Sequence, residues 1–92
     1  MDIGGDIGAL IVRLDASLEG TELPIEFAED PRRDIHTGVW RRSIGHDAVV
    51  VAVFPELREG SYRIHPAAAH SGALVRITGG EITELDLRIT HG

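Results

Sequence analysis

The stretch "IHTGVWRRSIGHDAVVVAVF", residues 35–54, decides the fold. Glycine at position 45 leads a two-residue Gly45-His46 loop of the kind that closes a tight hairpin with a type II′ turn. Strands of about Ile35 to Ser43 and about Ala48 to Phe54 flank it, and the loop length fixes their register, setting Trp40 opposite Val51 and Val39 opposite Ala52. Alternation then puts His36, Trp40 and Arg42 on one face with Val49, Val51 and Val53. Ile35 and Val39 share the other face with Ala48, Val50, Ala52 and Phe54. Both faces are apolar, yet a sheet packed in two layers has a single interior face. One strip must be left over.

The compact aliphatic face of Ile35, Val39, Val50 and Phe54 makes the better core, which leaves His36, Trp40, Arg42, Val49, Val51 and Val53 as a partly exposed binding strip. The competing arrangement buries Trp40, as immunoglobulin-type sandwiches bury a central tryptophan. In that case Arg32-Arg33 and Arg41-Arg42 serve as edge charges that discourage strand addition.

Outward from this hairpin the chain keeps the same period. A first strand is expected near Ile7 to Arg13, and a second near Glu22 to Ala28 with Leu23, Ile25 and Phe27 on one side and Glu22 and Glu26 on the other. "DASLEGT" reads as a turn and "AEDPRRD" as a polar connection, because Pro31 lacks a ladder donor and biases Asp30 toward extended geometry. A fifth strand spans about Ser61 to His65, "PAAAHSG" is a loop, and a sixth covers about Ala73 to Thr78. Gly79-Gly80 then turns into a seventh near Ile82 to Thr90. If that turn makes a hairpin, Ile77 faces Ile82 but Val75 faces Glu84, so the apolar faces disagree and a bulge or another register is required. The expectation is an all-β, seven-stranded antiparallel two-sheet sandwich, prealbumin-like or immunoglobulin-like, occupying residues 1–92 as a single domain.

Composition narrows the function classes. A formal net charge of −6 repels phosphate backbones and anionic headgroups, which argues against nucleic-acid and membrane partners. With no cysteine there are no disulfides, thiol nucleophiles or Cys-based zinc sites. The start "MDIGGDIGAL" lacks a basic and apolar leader, and "AVVVAVF" is far shorter than the roughly 20 residues of a spanning helix, so a cytoplasmic location is expected. Every basic residue is an arginine and Lys, Asn and Gln are absent, a bias in keeping with a GC-rich bacterial genome.

"FPELREGSYRI" at 54–64 followed by "VRITGGEITELDL" at 75–87 resembles the second half of prealbumin-like sandwiches, the carboxypeptidase regulatory-like and Cna-B-like domains. Their Leu-x-x-Gly-x-Tyr signature falls here on Leu57, Gly60 and Tyr62, and the resemblance implies a structural role for all three. The lysine-to-asparagine isopeptide crosslink of Cna-B-like domains is impossible in a chain lacking both residues. Transthyretin-related hydrolases of urate breakdown need a C-terminal Tyr-Arg-Gly-Ser motif, whereas this chain ends "RITHG". The whole chain also resembles short bacterial proteins beginning "DIGGDIGAL", some of which carry a phospholipase label. No lipase motif accompanies it: none of Ser17, Ser43, Ser61 and Ser71 lies in a G-x-S-x-G elbow.

No catalytic residue, metal site or cofactor is therefore expected. His65 and His70, separated by a Pro-Ala loop, are the weak candidates for zinc or copper, since neither H-x-H nor H-x-x-x-H occurs on one element. The expected function is a non-catalytic binding or accessory module acting on a protein partner or on a second copy as a homodimer. A His-dependent metal-binding protein or hydrolase is the alternative.

Overall fold

The computed structural model describes residues 4–64 and 73–88. Seven strands follow one another: β1 (Ile7–Leu14), β2 (Glu22–Phe27), β3 (Asp30–Ile44), β4 (Asp47–Arg58), β5 (Gly60–Ile64), β6 (Ala73–Ile77) and β7 (Ile82–Asp86), with a single 3-10 turn, Ala16–Leu18, between β1 and β2. The fold is all-β, as the period-two pattern requires. The strands do not separate into two sheets, however. They form one continuous sheet in the order β6-β5-β2-β3-β4-β1-β7, which coils nearly into a barrel.

β3 makes this continuity possible. Its first half pairs with β2, from Glu22 opposite Gly38 to Ile25 opposite Ile35, and its second half pairs with β4, from Val39 opposite Ala52 to Ile44 opposite Asp47. The "AEDPRRD" segment is thus not a connection. Only Ala28 and Glu29 turn, and β3 begins at Asp30. The register against β2 shifts between Glu26, opposite Asp34, and Phe27, opposite Asp30, so positions 31 to 33 bulge out of the ladder. A proline at 31 needs no ladder donor there.

Sheet closure overturns the expected hairpin at Gly79-Gly80 and, with it, a purely antiparallel arrangement. β6 pairs with β5, while β7 runs parallel to β1, from Ala9 opposite Ile82 to Arg13 opposite Asp86. The mismatch of faces in the sequence has this physical origin: Ile77 is fully buried and Ile82 is half exposed, because the two belong to different parts of the sheet. The crossing is held beneath by β1. The Gly80 N–H donates to the Ile7 carbonyl at 2.9 Å and the Ala9 N–H to the Glu81 carbonyl at 3.0 Å. A side chain on Gly8 would meet the Thr78 carbonyl at 2.5 Å and the Glu81 carbonyl at 3.0 Å, so the approach is closer than any residue but glycine allows.

The interior is lined by Leu10, Val12 and Leu14 of β1, Leu23, Ile25 and Phe27 of β2, and Val39, Val50, Ala52 and Phe54 of the long hairpin. Tyr62, Ile64, Val75 and Ile77 close the opposite side. Two expected core members differ. Ile35 is only partly buried, since it lies where the β2 ladder approaches its bulge, and Ala48 is exposed because it sits at the hairpin end beyond the core. The last strand is shorter than expected, β7 stopping at Asp86, while His65 at the expected end of β5, the "PAAAHSG" loop and Thr90 lie outside the described residues.

Candidate interaction face

Parity along the ladders determines what the outer surface of β3, β4, β1 and β7 presents. With Leu10, Val12 and Leu14 inside, Ile11 and Arg13 point out, and the pairing of Ile11 with Val53 and Arg13 with Val51 places Val49, Val51 and Val53 of β4 on that surface, while Val50 faces the core. Trp40 stands opposite Val51 and Arg42 opposite Val49 from the β3 side. From the β7 side, Glu84 stands opposite Ile11 and Asp86 opposite Arg13. Side chains therefore lie in rows across four strands: Trp40, Val51, Arg13, Asp86 in one, and Val53, Ile11, Glu84 in the next.

Trp40 is 57% exposed, which resolves the choice left open by the sequence. Val39, Ala52, Val50 and Phe54 take the interior and the indole stays outside. Its orientation has a cause. The Trp40 indole nitrogen and adjacent ring atoms occupy the volume that a Cβ at Gly38 would fill, so the ring lies flat along β3 over a residue with no side chain. Val51 retains only 7% of its surface although it points outward, being flanked by Trp40 and Arg13. Alongside, a shallow open groove of about 610 Å³ is floored by Val49, Val51, Val53 and Ile11 and bordered by Arg13, Arg42 and Glu84.

The charges around this face differ in how far they are committed. Arg41 donates through Nε and Nη2 to Glu19 Oε1 at 3.3 and 3.0 Å, tying the β1–β2 connection to β3. Arg88 holds Asp86 by two charge-assisted bonds, Nη2 to Oδ2 at 2.6 Å and Nε to Oδ1 at 2.9 Å, and the Arg88 backbone N–H adds a third at 3.0 Å. These bonds hold the Asp86 carboxyl well below the usual carboxylate range and raise the Arg88 guanidinium in return. Arg13 and Arg42 form no salt bridge with a described residue.

The strip expected from sequence is thus brought together in part. Trp40, Arg42, Val49, Val51 and Val53 share the face, while His36 lies further along β3, exposed, with Nδ1 at 3.7 Å from Glu22 Oε1. Sequence reasoning missed Ile11, Arg13 and Glu84, which arrive from β1 and β7. Alternation along "LIVRL" marks Ile11 and Arg13 as outward once Leu10 and Val12 are inward, but only the non-local pairing shows which valines they join.

The tyrosine signature lies on the far side. Tyr62 is 1% exposed and its hydroxyl donates to the Arg58 carbonyl at 2.6 Å, while its ring packs on Phe27 with centroids 5.0 Å apart. Gly60 has φ of +149°, and a Cβ there would meet Phe27 Cε1 at 2.6 Å. Leu57 is buried in the same core. Among the described residues no three of His, Asp and Glu gather as metal ligands, and His46 is exposed at the hairpin tip. His65, His70 and His91 lie outside the described residues. No helix among the described residues is long and apolar enough to cross a membrane. Comparison of the chain with protein-family models, with curated proteins and with solved structures returned no match.

Proposed function

We propose that this chain is a non-catalytic all-β module related to the prealbumin-like kind, which works by holding a protein partner or a second copy against the outer face of β3, β4, β1 and β7. The observation that carries the reading is the exposed indole of Trp40 set beside Val49, Val51, Val53 and Ile11 on a sheet whose other face already supplies the core. Tryptophan and arginine concentrate the energy of protein interfaces, because each offers a large contact area with a directional polar group. A rigid sheet holds that contact area in place before a partner arrives, so little ordering is required on binding.

Two measurements together test it. Sedimentation velocity of the wild type and of Trp40→Ala reads self-association. Selection of a displayed random-peptide library on both proteins reads a partner segment. The expected outcome is either a concentration-dependent dimer or a set of peptides, lost in each case with Trp40→Ala. A monomer at all concentrations, with no peptide that distinguishes the two proteins, rejects the reading.

A further inference from the structure

We infer that the element held on this face is an extended peptide segment with apolar side chains and a carboxylate at one end, which the guanidinium groups of Arg13 and Arg42 receive. The inference rests on the binding-module reading and names the chemistry of its partner. The groove is polarised along its length. Arg42 stands opposite Val49 and Arg13 opposite Val51, whereas Glu84 lies across Ile11 from Val53. Arg42 therefore borders one end of the valine floor, Arg13 its middle from the other side, and Glu84 the far end. Four residues of rise separate Val49 from Val53, roughly 14 Å, which matches an extended segment of four to five residues.

Charge complementarity favours an acidic partner. Acidic residues outnumber basic ones 15 to 9, yet the border of this groove carries two guanidinium groups without a salt bridge to any described residue against one carboxylate. Arg13 lies beside Asp86, but Asp86 is already held by Arg88. An incoming carboxylate finds two guanidinium groups that form no salt bridge with a described residue.

A second copy fits less well. The outward patch is roughly 20 Å by 20 Å, about 400 Å² a side, against about 800 Å² in a standard stable interface. Isologous pairing would also bring four such arginines to two Glu84 carboxylates. A lipid or other small amphiphile fits less well too, because such ligands gain their affinity in sites that enclose most of their surface, and this groove is open along its length. A peptide brings its own body as the cover.

The test uses the full chain and two synthetic probes, acetyl-Glu-Val-Ser-Val-Ser-Val-amide and its glutamine counterpart, followed by amide NMR at low and at 300 mM salt. Expected are saturable shifts centred on residues 11 to 13 and 49 to 53. The Glu probe should bind roughly three- to fivefold tighter at low salt, an advantage that shrinks at high salt and disappears in Arg42→Gln. Arg42 is exposed, so this variant keeps the fold. Equal binding of both probes overturns the acidic preference while leaving the interaction face intact. Saturable binding of laurate at these residues without either peptide overturns the peptide. A dimer abolished by Trp40→Ala, with no response to the probes, assigns the face to a second copy and overturns the inference, and silence in every arm removes the interaction face as well.

Discussion

Replacing Gly8 with alanine distinguishes the observed closure from the local hairpin that the sequence suggests. Gly8 is not among the glycines with positive φ, so an added methyl introduces no backbone strain and reports packing alone. Its Cβ would stand 2.5 Å from the Thr78 carbonyl oxygen, 2.9 Å from Ile77 Cγ2 and 3.0 Å from the Glu81 carbonyl oxygen. Ordinary contact begins near 3.4 Å, so the worst of these must open by about 0.9 Å, and two of the three atoms are backbone fixed by the crossing. Overpacking of this order costs about 1–3 kcal/mol. For a domain of this size, 2 kcal/mol lowers the melting temperature by about 8–16 °C. Were β6 and β7 a plain hairpin away from β1, Gly8 would be an ordinary strand residue, and alanine would stabilise by about 0.5–1 kcal/mol. The two topologies predict opposite signs. Urea denaturation of wild type and Gly8→Ala, analysed at constant m, reads that sign. A variant as stable as the wild type or more stable refutes the parallel β1–β7 closure.

Tyr62→Phe should cost about 1–2 kcal/mol in the same assay, because the Arg58 carbonyl loses its 2.6 Å donor in a buried setting; a neutral effect would contradict that bond. Gly38→Ala should lift the indole off β3 and increase acrylamide quenching of Trp40, the only tryptophan, with little change in stability; unaltered quenching would show that the ring does not rest there. Asp86 is favoured in its ionised form by folding, so its contribution is present above the ordinary carboxylate value of 3.8 and is lost as pH falls through its lower folded value. Side-chain carboxyl NMR should find Asp86 still ionised well below the ordinary carboxylate value of 3.8, and Arg88→Gln should return it toward 3.8; ordinary titration in the wild type would contradict the pair. Saturating zinc or copper should leave the melting temperature unchanged, and a rise that disappears with His65→Ala or His70→Ala would instead favour the metal-binding alternative.

The hairpin of residues 35–54 was legible because its register depends on a two-residue loop and its faces on alternation, both local properties. The Leu23, Ile25 and Phe27 face was legible for the same reason. What the sequence concealed is non-local. Ile82 to Asp86 pair with β1 some 70 residues away, and no turn chemistry at Gly79-Gly80 records that choice. The one trace was negative: Val75 and Glu84 refuse to share a face. Arg13 and Glu84 were hidden with it, since each gains meaning only from the strand beside it. β3 misled in another way, because Pro31 signals a break in most ladders but is tolerated inside a bulge.

The parallel pairing of β1 with β7 also orders events during synthesis. On the ribosome, β7 is made after every other described strand, so the groove lacks its Glu84 wall and β1 its outer neighbour until translation has passed residue 86. Until then β1 has one edge without a ladder partner, and a nascent chain halted there presents that open edge to other chains and should be prone to clump.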